Sequence, residues 1–178
     1  PLTNLAVAYH LDNTFASKVP IVSLMGGSTT GFGINHFFGA EFNFHLDAQA
    51  AYVVLEVFPC VVISSFDLSF DIEGDKTLEL YHEKSTRKGK MIHDIHGEIM
   101  KKMKPSVCDP LAVIPVFNPE IVESIYQAYG HVEINGIRTR GALTLDWFSD
   151  NIEGKKKLWA IAEINTERMV DNIKQSYQ

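Results

Sequence analysis

The chain has 178 residues, 46% of them hydrophobic and 21% charged, with a net charge of -6 and two cysteines. This length and composition allow one sizeable core, while the scattered acidic excess offers no basic face for nucleic acid and no apolar run reaches the roughly 18 residues of a membrane helix. Cys60 and Cys108 make neither a disulfide framework nor a metal-ligand spacing; this fits a reducing compartment, so a cytoplasmic location is the expectation.

The chain opens at Pro1. Sequence upstream of it is expected, and a secreted form stays open because a leader would lie there. Leu5, Val7, Ala8 and Leu11 fit one face of a short helix, with Thr3 or Asn4 placed to cap it. Pro20 to Met25 is apolar except for Ser23 and ends in Gly26-Gly27, the pattern of a strand buried on both faces in a parallel sheet.

The stretch from Met25 to Asp47, M-G-G-S-T-T-G-F-G-I-N-H-F-F-G-A-E-F-N-F-H-L-D, is longer and more polar than an ordinary connection. In parallel sheets ligands bind beyond the carboxyl ends of strands, and this loop leaves from such an end. It is therefore expected to form the floor of a binding site.

Asp47 then caps a helix that Pro59 stops after Phe58, and Cys60 to Ser64 is a second short buried strand. Asp67, Asp71 and Asp75 are spaced four apart but match no calcium loop, and predict a capped, solvated turn. Lys76 to Lys104 is polar and helix-permissive, with Gly89 predicted to separate two helices. His93 and His96 share a helical face there and are expected at the surface, because no third metal ligand is near in sequence.

Asp109-Pro110 has the form of a helix start, with the carboxylate at the N-cap; the same carboxylate is equally placed to point into a site. Beyond Pro119 the reading is a short helix over Glu120 to Ala128, then a hairpin of His131 to Ile134 against Ala142 to Asp146, turned near Asn135-Gly136. A strand over Lys157 to Ile164 follows, and a last helix capped by Thr166 runs to about Tyr177. The alternation predicts an α/β fold: one domain over residues 1–178, with a mostly parallel central sheet flanked by helices and a small C-terminal β-hairpin.

Five segments resemble the inosine-uridine preferring nucleoside hydrolase family, in the family's order: P-L-T-N-L-A at 1–6, L-M-G-G at 24–27, A-E-F-N at 40–43 before D-A-Q-A-A, C-D-P-L-A-V at 108–113, and R-T-R-G-A-L-T-L-D-W at 138–147. The resemblance covers the C-terminal half to two-thirds of that domain, so the sheet is expected to be incomplete on its N-terminal side. An unpaired edge and exposed apolar surface would follow. It implies calcium-dependent hydrolysis of the N-glycosidic bond of a ribonucleoside, with Ca2+ as cofactor and a homo-oligomer, dimer or tetramer, when complete. By motif, Asp109 and the backbone carbonyl of Thr3 correspond to calcium ligands. Asn35, Glu41 and Asn43 correspond to residues that bind the ribose hydroxyls, and Met25 to the methionine against the sugar.

Those residue types suit the chemistry the resemblance implies. An oxocarbenium-like ribose needs hydroxyl-grasping acceptors, negative charge near the ring and a water ready to attack. Two departures stand out. The family's N-terminal D-x-D-x-x-x-D-D cluster, source of most calcium carboxylates and of the base, is not in these 178 residues, so the chain alone is expected not to catalyse. Cys108 stands where well-studied members have the histidine that protonates the leaving base; a neutral thiol is a poorer acid, and His36, His93 and His96 are the other candidates. Purine and pyrimidine bases are both open. The alternative is a non-catalytic nucleoside-binding or structural protein of the same fold.

Overall fold

The apolar run before Gly26 forms β1 (Val22–Met25), and the run after Pro59 forms β2 (Val61–Ser64). They pair in parallel, Val22 opposite Val61 and Met25 opposite Ser64. The computed structural model describes residues 1–32, 35–36, 39–70, 72, 85–100 and 107–176, with residues 97–100 by their backbone alone.

β3 (Val122–Val132), β4 (Leu143–Asp146) and β5 (Lys157–Ile164) complete a five-stranded sheet of order β1-β2-β5-β3-β4. β5 lies parallel to β2, while β3 is antiparallel to both β5 and β4. The two reversals cancel, so four strands run one way and β3 alone runs against them. The fold is α/β, a mixed and mostly parallel sheet flanked by helices. β1 is an edge strand of that sheet.

Alternate side chains of the strands feed two cores. Val61, Ile63, Leu158 and Ala160 join Leu24, Phe44, Val54 and Phe58 on one face, under α1 (Thr3–Leu11), α2 (Phe15–Lys18), α3 (Phe42–Leu46) and α4 (Ala48–Val57). Ala48, Ala51 and Val54 recur every three residues on the buried side of α4, which lets that helix approach closely. On the other face Val62 and Ile161 meet Leu111, Met169, Val170 and Ile173. The cover there comes from α6 (Pro110–Phe117) and α7 (Thr166–Ser176), while α5 (Arg87–Met100) precedes α6. No helix among the described residues is long and apolar enough to cross a membrane.

Several local expectations give way to longer-range pairing. Glu120 to Ala128 is not a helix: a 3-10 turn over Pro119–Ile121 leads straight into β3. The apolar positions 121, 122, 125 and 128 suit a helix, yet the β-branched and aromatic content suits a strand, and pairing with β5 decides it. Gly89 separates nothing; it lies in the first turn of α5, and its N–H donates to Thr86 Oγ1. Neither Thr3 nor Asn4 caps α1, whose N-cap is Leu2 without a side-chain bond. The cap of α7 is Asn165, whose Oδ1 accepts the Arg168 N–H at 3.0 Å, and not Thr166. In the hairpin, Val132 faces Leu143 and the first strand ends there. Glu133 then folds over the turn and accepts the N–H groups of Asn135 and Gly136. Asp71 and Asp75, most of 76–104 and Tyr177 lie outside the described residues or in backbone alone.

Candidate functional site

β1 ends at Met25, and the chain turns through Gly26 and Gly27, the latter at φ +71, a left-handed backbone that favours glycine. A Cβ on Gly26 would come within 2.7 Å of the Phe44 ring, so the backbone passes directly over that buried side chain. Glu41, only 2% exposed, anchors the crossing: its Oε2 accepts the N–H of Gly27 at 3.0 Å and of Phe44 at 3.2 Å. The same carboxylate caps α3 and ties the start of the loop to its end.

Asn43, on the first turn of α3, donates through Nδ2 toward Met25 Sδ at 3.5 Å. Asn35 is exposed and its Oδ1 accepts the Phe42 N–H at 2.7 Å. The loop is therefore closed by its own polar side chains.

α6 brings Asp109 to this loop by an unusual docking. Pro115 lies inside the helix and has no N–H to give the carbonyl of Leu111. Ser64 Oγ, at the end of β2, donates to that carbonyl at 2.7 Å, and Ser23 Oγ on β1 donates to the Ala112 carbonyl at 2.6 Å. Two strand serines thus fix the first turn of α6 across the carboxyl ends of β1 and β2. Asp109 takes the N-cap position but makes no side-chain capping bond. Asp109, an exposed residue, lines a cavity of about 410 Å³ together with Met25, Asn43, Ser23, Leu2 and Pro1.

Of the residues singled out in the sequence, Met25, Asn43 and Asp109 therefore share one cavity. Glu41 is buried and accepts the N–H of cavity-lining Phe44, and Asn35 stands at the loop surface. Thr3 is the first residue of α1, next to cavity-lining Leu2, and its hydroxyl donates to Asp47 Oδ2 at 2.5 Å. Cys108 is half-buried ahead of α6 and its carbonyl accepts the Leu111 N–H. His93 and His96 stay on α5, bonded to Asp94 and to the Ile92 carbonyl. The His36 and His45 rings meet at a tilt of 49°, with centroids 4.0 Å apart.

A larger concavity of about 650 Å³ is walled by Phe32, Phe70, Leu68, Tyr126 and Trp147. Its one carboxylate among the described residues, Asp67, is engaged by the loop: its oxygens accept from the Thr29 N–H at 2.6 Å, the Thr30 hydroxyl at 2.6 Å and the Ser28 hydroxyl at 3.0 Å. Asp67 is thus a long-range clamp and not the solvated turn expected of it.

Calcium takes six to eight oxygen ligands. Among the described residues no group of three or more His, Cys, Asp or Glu side chains could hold a metal, and Asp109 is the one carboxylate lining the cavity. These residues do not by themselves make a calcium site.

Ser23, Ser64 and Asp67 were not read from the sequence as site residues. Their partners lie 89, 47 and 37 to 39 residues away, and only Pro115, one helical turn after Leu111, hints that a carbonyl there needs an outside donor.

Solved structures share this arrangement of sheet and helices. An inosine-guanosine nucleoside hydrolase superposes with a TM-score of 0.82 at 23% identity, over 99% of this chain and 59% of that one. The inosine-uridine preferring nucleoside hydrolase of Bacillus anthracis gives 0.77 at 17% identity, over 98% and 57%. In sequence, a probable uridine nucleosidase 2 of Oryza sativa subsp. japonica is 29% identical over 164 residues, 85% of this chain and 48% of the relative. The chain thus spans about half the length of the curated relative it matches. The inosine-uridine preferring nucleoside hydrolase sequence model matches residues 1–171. With the loop behind β1 and the Asp109 helix inside that match, the chain belongs to the inosine-uridine preferring nucleoside hydrolase family.

Proposed function

We propose that this chain forms the ribose-binding part of a nucleoside N-ribohydrolase, which hydrolyses the N-glycosidic bond of a ribonucleoside to ribose and free base. The observation that carries the reading is the convergence of Met25, Asn43 and Asp109 on one cavity at the carboxyl ends of parallel strands.

In this reading the sugar rests on the thioether of Met25. Asn43, and Asn35 at the loop surface, bind ribose hydroxyls. Glu41 holds the floor rigid from below, since Oε2 already fixes two backbone amides. A buried carboxylate under the ring favours the positive charge that grows on the sugar as the bond to the base breaks. Asp109 lines the same cavity and has no capping duty, the condition for a side chain kept for a ligand. Cys108, adjacent to it, is the candidate on the leaving-base side.

Calcium dependence belongs, in this proposal, to a protein that adds further carboxylates to Asp109 and the Thr3 carbonyl. The 178 residues by themselves hold too few of them to turn over substrate. Homo-oligomeric assembly and a cytoplasmic location are part of the same proposal. A second reading, a nucleoside binder without chemistry, is favoured by the single carboxylate that lines the cavity among the described residues.

The test is release of base from inosine and uridine with and without calcium. In the active protein Asp109→Ala is expected to abolish release, and unchanged activity would remove Asp109 from the site. The 178-residue chain is expected to bind nucleoside without releasing base. Measurable turnover by it would overturn the claim that it lacks the machinery.

A further inference from the structure

The loop that floors the cavity is held at its far side by a residue that touches no part of that cavity. Asp67 sits just after β2, in a 3-10 turn over Phe66–Phe70. Both of its oxygens are taken by one short stretch of the loop. Oδ2 accepts the Thr29 N–H at 2.6 Å, the Thr29 hydroxyl at 3.3 Å and the Thr30 N–H at 3.4 Å; Oδ1 accepts the Thr30 hydroxyl at 2.6 Å and the Ser28 hydroxyl at 3.0 Å. The two hydroxyls on Oδ1 pass the constraint on: Ser28 Oγ accepts the Gly31 N–H and Thr30 Oγ1 accepts the Phe32 N–H.

Residues 28 to 32 thus hang on one carboxylate, directly after Met25 and the glycine pair. On the near side the backbone is also pinned, because Gly26 donates to the Ser64 carbonyl and Phe66 donates to the Gly27 carbonyl. Gly27 in turn gives its N–H to Glu41. The 28–30 turn follows Gly27 directly in the chain, so the stretch held by Asp67 adjoins the stretch held by Glu41. Hydrogen bonds to a charged acceptor in a partly buried site are the stronger kind, and geometry at a binding site matters at the level of tenths of an ångström.

We propose that Asp67 is a positioning residue for the ribonucleoside site: it sets the 28–32 turn and so the placement of Met25 and Glu41 beneath the sugar. The link to substrate rests on the proposed nucleoside reading; the link from Asp67 to the loop does not. Only an acceptor at position 67 matches this set, since every partner is an N–H or O–H. Asparagine retains one oxygen for the Thr29 and Thr30 N–H groups, and its amide donates to hydroxyls that are able to accept. Alanine retains nothing.

The experiment is amide hydrogen exchange on the full chain, wild type, Asp67→Ala and Asp67→Asn, each with and without millimolar inosine or uridine. In Asp67→Ala the amides of Thr29 to Phe32 are expected to exchange roughly tenfold or more faster, as the loss of charge-assisted bonds implies, with Ile63 and Ile161 in the sheet unchanged as a control for folding. Protection of residues 25–43 by nucleoside should be present in wild type, lost in Asp67→Ala and largely restored in Asp67→Asn.

Unchanged exchange of the loop in Asp67→Ala overturns the inference. So does a loosened loop that still gains full protection from nucleoside. If the wild type shows no protection at all, the nucleoside reading fails, and the comparison without ligand still decides whether Asp67 holds the turn. Should the alanine variant lose the sheet amides as well, the asparagine variant carries the test: it must keep the sheet and regain most of the slow exchange at Thr29 and Thr30, and failure to do so with an intact sheet overturns the inference.

Discussion

Thr3 and Asp47 lie 44 residues apart, and the threonine hydroxyl donates to the aspartate Oδ2 at 2.5 Å. The other oxygen, Oδ1, accepts the Ala50 N–H and caps α4. One carboxylate thereby joins the first helix to the helix behind the binding loop.

The Thr3 hydroxyl is the largest influence on Asp47, and with the Ala50 amide and the charge of Arg140 it holds the carboxyl below its ordinary 3.8. A carboxyl depressed in the folded state contributes stability that is fully present above its unfolded pKa and is lost as pH falls through the folded one. Stability measured by urea unfolding should therefore decline as pH is lowered through and below 3.8, and this part of the decline should vanish in Asp47→Asn. At pH 7 asparagine keeps the cap, whereas Asp47→Ala removes it and should cost about 1 kcal/mol.

Asp109 precedes α6 as Asp47 precedes α4, yet it makes no capping bond. Asp109→Asn should leave unfolding stability within about 0.5 kcal/mol of wild type while it weakens ligand binding. Urea titration beside a nucleoside-binding measurement checks both halves. A large loss of stability would assign Asp109 to the fold and not to the site.

Gly141 closes the loop between β3 and β4 with φ +88, and an added Cβ would lie 2.6 Å from the backbone Cα of His45. Next to it Arg140 Nη1 donates to the His45 carbonyl at 2.8 Å, and His45 Nδ1 meets the Arg140 carbonyl at 2.9 Å. Gly141→Ala combines a disfavoured backbone with a clash against main chain and should destabilise by more than about 1 kcal/mol. The melting temperature gives the stability loss. Exchange at Phe44 and His45 should rise first if the strain is local to α3.

How far the sequence carried depended on the range of the forces involved. β1, β2, β5 and α4 were legible because apolar runs, alternation and an Asp cap are local signals. The first part of β3, up to Ala128, suits a helix as well because its apolar spacing fits both periods, and the deciding partner, β5, lies some 30 to 40 residues later. In the site, Met25, Asn43 and Asp109 came from motif order, not from any rule of spacing. Asp67 was read as a solvated turn, since nothing near it in the chain shows that Thr29 and Thr30 approach it. Glu41 was expected to bind sugar, and its grip on Gly27 and Phe44 became visible only once the loop was folded back on itself.

The proline inside α6 couples two positions that lie far apart in the chain. With Pro115 in place, Ser64→Ala would leave the buried Leu111 carbonyl without its hydroxyl donor, at a cost of about 1 to 3 kcal/mol. Replace Pro115 by alanine and the helix can supply its own N–H, so the same change at Ser64 should cost much less. A double-mutant cycle should return a coupling energy well above zero. Homologous chains free to lose one of these residues should be those that have already lost the other.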